Sequence, residues 1–230
     1  MSQMLQNNAS WEELTRVKSG LNHGWVGADE VLVCGRMSKL FRSSDGGSTW
    51  QQIKVSGGGH LGHVVRAPDG ALHLGNLEGK LFTSRDDGKT WSVRQLPKAK
   101  YVAGIWSTPT HLLVLDFHQL HSVEHGSDDW EVFVLPKELE PNSVIDSCYN
   151  ALSVTDDGTL FLAGHFSRSK LIPDGYQGIL LRSSDGGRSW SFVDTGVHEG
   201  LNCVTQAGNT LYAGGRNCLL LRSKDGGKHW

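Results

Sequence analysis

Ser43-Ser44-Asp45-Gly46-Gly47-Ser48-Thr49-Trp50 is the stretch whose reading decides the fold. The same octet, Ser-x-Asp-x-Gly-x-(Thr/Ser/His)-Trp, returns at 84–91, 183–190 and 223–230, ending in Trp91, Trp190 and Trp230. Recurrence at a steady spacing marks a repeat architecture. Each copy has the chemistry of a closed turn. Its Asp accepts hydrogen bonds from the backbone N–H groups of its own loop. The Gly two residues later supplies a positive φ, and the Trp buries a large ring where the next strand begins. The octets are therefore expected to be structural turns between strands, built on Asp45, Asp86, Asp185 and Asp225 with Trp50, Trp91, Trp190 and Trp230.

Working outward, Trp11, Trp50, Trp91, Trp130, Trp190 and Trp230 are separated by 39, 41, 39, 60 and 40 residues. Trp130 enters through a degenerate copy, Glu124-His125-Gly126-Ser127-Asp128-Asp129-Trp130. Units of about 40 residues match a four-strand blade. Within them a repeated Leu (Leu32, Leu72, Leu112, Leu160, Leu211) marks the second strand. Runs such as Lys39-Leu40-Phe41-Arg42 and Leu219-Leu220-Leu221-Arg222 mark the third. The expectation is an all-β protein, a five-bladed β-propeller of four-stranded antiparallel blades. Residues 1–10 are a lead-in and 11–230 one domain, with repeats 11–50, 50–91, 91–130, 130–190 and 190–230. Trp11 reads as the end of an octet whose first half is missing. Residues 11–17 are accordingly expected to be the outer strand of the last blade, closing the ring and removing an exposed edge. The rival is exchange of that strand between subunits; a monomer is the expectation.

The octet resembles the Asp-box, or bacterial neuraminidase repeat, found in sialidases, sortilin-type receptors, some xyloglucanases and photosystem assembly factors. The resemblance runs from Trp11 to Trp230. It implies that each octet lies between the third and fourth strands of a blade. It implies no particular function, because the families sharing the repeat do unrelated things. The sialidase catalytic signature is absent. There is no Arg-Ile-Pro, no Glu can be matched to a mouth tyrosine, and five units stand where the sialidase ring has six blades.

The chain has 230 residues, among them 29 Gly and 6 Pro, as suits many tight turns. A formal charge of −2 and a pI near 6.6 give no reason to expect nucleic acid or an anionic membrane as partner. No apolar run approaches the roughly 18 residues of a spanning helix, and the N-terminal residues lack the pattern of a signal peptide. Cys34, Cys148, Cys203 and Cys218 form no CxxC pair. They are expected to be buried free thiols in a reducing, cytoplasmic compartment, with no metal and no cofactor.

If the octets occupy one face, function belongs to the other, where loops surround the channel mouth. His23, His60, His63, His118, His165 and His198 map there. Arg36, Asn76, Asp116 and Arg216 stand at the ends of second strands. Lys98, Lys100, Tyr101, Asp146, Tyr149 and Asn202 stand at the entries to inner strands. The fourth unit is longer than the rest, and its excess falls on this face at 136–143 and 165–178. The second extension carries Arg168, Lys170 and Tyr176 beside apolar residues, a mixture suited to contacting a protein. The expected function is a non-catalytic interaction module that binds a protein partner through this face. The alternatives are a glycan-binding lectin, with Trp25 or Trp106 stacking a sugar, and a glycoside hydrolase other than a sialidase. The hydrolase would need two carboxylates facing each other, for which Asp116 and Asp146 are the candidates by position.

Overall fold

The computed structural model describes residues 20–97, 99–116, 119–136, 146–167 and 176–230, with backbone alone at 146–148, 166–167 and 176–177. The expected closing strand at 11–17 lies outside the described residues, as do Lys98, His118, Arg168 and Lys170.

Short apolar stretches bounded by tight turns give nineteen strands among the described residues, grouped into five antiparallel sheets. The first holds β1 (Leu21–Val26), β2 (Val31–Gly35), β3 (Lys39–Ser43) and β4 (Gln51–Lys54). The second holds β5 (Leu61–Arg66), β6 (Leu72–Asn76), β7 (Lys80–Ser84) and β8 (Ser92–Gln95). The third holds β9 (Gly104–Ser107), β10 (His111–Leu115), β11 (Gln119–Glu124) and β12 (Trp130–Val134). The fourth holds β13 (Asp146–Val154), β14 (Leu160–Ser167), β15 (Tyr176–Ser183) and β16 (Ser191–Phe192). The fifth holds β17 (Leu201–Ala207), β18 (Thr210–Gly215) and β19 (Leu220–Ser223). Strands are ordered as in the chain within every sheet, so each is a meander. The fold is all-β, with the five blades read from the sequence. The fifth sheet has three described strands rather than four.

One register rule runs through the repeats. The residue after the Trp pairs with the residue before the octet's first position: Gln51 with Arg42, Ser92 with Thr83, Ser191 with Arg182. The degenerate unit obeys it as well, Glu131 pairing with Ser122. A fixed turn thus fixes the register, and with it which side chains face each neighbouring sheet.

The cores lie between successive sheets rather than along one central layer. Leu32, Leu40 and Ile53 of the first sheet meet Leu61, Leu74 and Phe82 of the second. Leu81 and Leu96 meet Leu112 and Val114 across the second and third. Leu120 and Leu135 meet Leu160 and Leu162 across the third and fourth. Phe161 and Ala163 meet Leu211 and Ala213 across the fourth and fifth. Cys34 is buried, but Cys203 and Cys218 are exposed free thiols, against the expectation that the cysteines are buried. Cys218 sits in the tight β18–β19 connection with φ of 60°, and a turn that short leaves its side chain in solvent.

Octets and β1–β2-type turns share one face. Glu30, in the turn between β1 and β2, receives the Arg66 guanidinium. Arg66 and Arg42 both reach Asp87 of the second octet, tying the first two sheets together. The opposite face carries the connections into the inner strands and those between second and third strands, as the sequence led us to expect.

Candidate functional site

The octets are accounted for by their own hydrogen bonds. In the first, Thr49 N–H donates to Asp45 Oδ1 at 2.8 Å and the Thr49 hydroxyl to Oδ2 at 2.6 Å. The Ser43 hydroxyl donates to Oδ1 at 2.8 Å and accepts from Gly47 N–H at 2.8 Å, while Trp50 Nε1 donates to Gly47 O at 2.9 Å. Asp86, Asp185 and Asp225 repeat the pattern with Thr90, Ser189 and His229. The hydrogen bonds, led by the one from the Thr or Ser side chain, pull Asp45, Asp86 and Asp185 down to about 2. These carboxylates are turn clasps. In the degenerate unit His125 Nε2 instead donates to Thr108 O at 2.9 Å, fastening the turn to its neighbour in the same sheet.

On the opposite face the first residues of the inner strands are shaped by β-bulges. Register shifts leave Asn22, Gly62, Asn150 and Asn202 as the extra residues of β1, β5, β13 and β17. Two of these amides reach the next sheet. Asn22 Nδ2 donates to Leu61 O at 2.7 Å and Asn150 Nδ2 to Leu201 O at 2.9 Å. A bulge aims a side chain along the sheet stack rather than across it, and here it makes a bridge between neighbouring inner strands.

Two polar groups form beside these bridges. His23 and His63 lie with ring centroids 4.9 Å apart, and Val64 N–H donates to His23 Nδ1 at 3.3 Å. That bond leaves the proton of neutral His23 on Nε2. Burial lowers both imidazoles, His63 to about 4, with the neighbouring His23 adding to the effect. The second group joins the fourth and fifth sheets. Asn150 Nδ2 stands 3.2 Å from His165 Nδ1, and His165 and Arg216 flank Gly200. Burial and then the Arg216 charge lower His165. At neutral pH both groups are uncharged imidazole and amide, with one guanidinium. They offer donors and acceptors of the kind that read a peptide backbone or carboxylate.

The remaining predicted residues divide. Arg36 and Arg216 are exposed and occupy the same place in their sheets, their N–H groups donating to Gly20 O and Gly200 O. His60 is exposed and Tyr101 half-buried. Tyr149 is buried in the core between the third and fourth sheets, and its hydroxyl donates to Pro136 O. Asp116 is buried: its Oδ1 accepts from Gln119 N–H at 2.8 Å and its Oδ2 lies 3.0 Å from Nε2 of buried His121. It caps its turn as buried Asn76 does in the second sheet. The side chains of Asp146 and Tyr176 lie outside the description. Trp25 and Trp106 pack against the inter-sheet cores, their rings lying over Gly27 and Gly104.

The sequence reading named Asn202 but missed the bridging bulge asparagines Asn22 and Asn150, whose only local signal is their place at the head of inner strands. It also missed a cleft of about 630 Å³ on the octet face between the third and fourth sheets. Ser107, Thr108, Thr110, Ser122 and Asp156 line it, with Arg188 on its rim gripping Glu131 at 2.8 and 3.0 Å. The register explains it: Ser122 occupies the position held by Arg42 and Arg182 in the first and fourth sheets.

No family model matches this chain, and no curated protein matches it. Solved structures do. YCF48 bound to D1 peptide matches with a TM-score of 0.70 and 19% identity, over 97% of this chain and 71% of that one. The GH74 xyloglucanase from Xanthomonas campestris matches with a TM-score of 0.63 and 17% identity, over 88% of this chain. YCF48 from Cyanidioschyzon merolae matches with a TM-score of 0.59 and 17% identity, over 89% of this chain and 66% of that one. The chain spans 36% of the xyloglucanase's length. At these identities the likeness is one of fold: the chain shares the propeller-type architecture of these proteins.

Proposed function

We propose that this chain is a non-catalytic interaction module of the Asp-box kind, which binds an extended segment of a protein partner at the face opposite the octets. The observation that carries the reading is the Asn150–His165–Arg216 group at the junction of the fourth and fifth sheets. His165 stands two residues before the end of β14, while Arg168, Lys170 and the side chain of Tyr176 lie outside the described residues. Uncharged imidazole and amide next to a guanidinium suit a peptide's carbonyls and carboxylates. A propeller-type neighbour with a bound peptide supports the same reading. The hydrolase alternative has less support, since Asp116 is engaged by its own turn and by His121.

Glycan binding is the second reading, and the hydroxyl-lined cleft on the octet face favours it. One experiment separates the two. A library of displayed extended peptides and a glycan array are each probed with the wild type, His165→Ala/Arg216→Ala and Arg188→Ala. Peptides enriched by the wild type and by Arg188→Ala, but lost with the double variant, are the expected result. Glycan signal that depends on Arg188, with no peptide enriched, overturns the reading.

A further inference from the structure

The cleft between the third and fourth sheets has a counterpart inside the same chain, and the counterpart is filled. Arg42 and Ser122 each stand just before the first position of their octet, Ser43 and Val123. Ser43 pairs with Val31 and Val123 with Leu112, so Glu30, one residue earlier, answers to His111. In the sheets that follow, Arg66 pairs with Leu72 and Val154 with Leu160, while Asp87 and Gly186 are the fourth residues of their octets. Between the first and second sheets these positions hold an ionic plug. Arg66 Nη2 donates to Glu30 Oε1 at 2.7 Å and to Asp87 Oδ1 at 2.8 Å, and Arg42 pairs with both carboxylates. Between the third and fourth sheets the same positions are His111, Ser122, Val154 and Gly186, and all of them line the cleft. The cleft is thus the space that guanidiniums and their carboxylates occupy elsewhere in this chain.

The exchange leaves acceptors behind. Ser122 is 4% exposed and lines the cleft, and its hydroxyl has no hydrogen-bond partner among the described residues. Ser107, Thr108, Thr110 and Thr155 add hydroxyls, and Leu113, Val154 and Leu160 add apolar wall. Glu131, Asp156 and Asp157 line the cleft against the one guanidinium of Arg188, so the fixed charge around it is negative. Asp156 Oδ2 accepts from Gln206 Nε2 at 3.2 Å and Asp157 Oδ1 from Thr159 N–H at 3.0 Å. These neutral donors hold both carboxylates in place without cancelling their charge. Among the described residues that line the cleft, His111 carries the only ring, so a sugar finds no broad aromatic face to stack on.

We propose that this cleft is a binding site for an arginine side chain of a protein partner, which enters where the chain's own arginines lie between the first and second sheets. A guanidinium is a flat fork of donors with no acceptor, and it suits a lining of hydroxyls and carboxylates. Its aliphatic stem lies against Leu113, Val154 and Leu160. The volume, about 630 Å³, leaves room for the stem and for main chain at the mouth. The site stands on the octet face, apart from His165 and Arg216, and does not rest on the peptide reading of the other face.

The test is an amide NMR titration of the full chain with acetyl-arginine methylamide, its uncharged citrulline analogue, free arginine and cellobiose, with melting curves to confirm that each variant is folded. The expected result is saturable shifts at Ser122 and Asp157 with the capped arginine, and binding about tenfold weaker with the citrulline analogue, which lacks the charge. Free arginine should bind more weakly than the capped form, because its own carboxylate meets the acidic lining. Ser122→Arg supplies the guanidinium that Arg42 provides in the first sheet and should abolish binding. Asp156→Asn/Asp157→Asn keeps the oxygen acceptors of the turn and should weaken binding about fivefold. His165→Ala/Arg216→Ala should leave it unchanged, so failure here and failure of the opposite face are read separately. No saturable shift at Ser122 and Asp157, equal binding of the citrulline analogue, or binding that survives Ser122→Arg overturns the proposal. Tighter binding of free arginine overturns the protein source, and shifts at these amides with cellobiose but not arginine overturn the ligand class.

Discussion

Asp45, Asp86 and Asp185 hold their turns as carboxylates, so proton binding competes with the turn itself. Each is pulled to about 2 by hydrogen bonds, against about 3.9 in an unfolded chain. Their contribution is complete above about pH 4 and is lost as pH falls through about 2. The melting temperature is expected to fall steeply across that window, and a variant with Asn at all three positions to show a flatter profile. A second window lies higher. Burial takes His63 and His73 to about 4 from about 6.5, so the neutral imidazoles favour the fold above about pH 6.5. That advantage disappears as pH falls to about 4, and His63→Gln removes part of the slope in a melting series. The glycines of the octets separate backbone strain from packing. Gly46 has φ of 68° with open space around it, so Gly46→Ala should cost about 1 kcal/mol. At Gly227, φ is 83° and an added Cβ would lie 2.5 Å from the Phe161 ring. Gly227→Ala should cost at least about 2 kcal/mol in urea unfolding.

Sheets are held to their neighbours by two devices, apolar faces and bridging side chains. Leu40→Ala empties a fully buried site between the first and second sheets and should cost about 2–5 kcal/mol. Asn150→Ala removes one inter-strand bridge and should cost about 1 kcal/mol. Both are read from denaturant midpoints. The strands and octet turns were legible in the sequence because their causes are local: an Asp, a Gly and a Trp at fixed offsets set the turn, and the turn sets the register. The bulges were not legible, since a bulge is paid out against the partner strand and leaves no spacing of its own. The same limit governs the candidate site. Spacing brought Tyr149 and Asp116 to the correct end of their strands. It could not say that Tyr149 turns into the core, or that Asp116 caps its own connection beside His121. His165 and Arg216 are about fifty residues apart in the chain, and only the stacking of the fourth and fifth sheets puts both beside Gly200.

For the molecule as a whole, contact is almost entirely between neighbours in sequence. Each apolar cluster is shared by two successive sheets, so stability is close to a sum of unit and nearest-neighbour terms. That arrangement has a mechanical consequence. A chain pulled from its ends meets no long-range tie among the described residues that would hold distant sheets together. It should therefore yield as a row of separate fasteners rather than at one stroke. Each released unit of about 40 residues would lengthen the tether by roughly 140 Å at full extension. The longer fourth unit would give a step about half as large again, distinguishable from the others in a force trace.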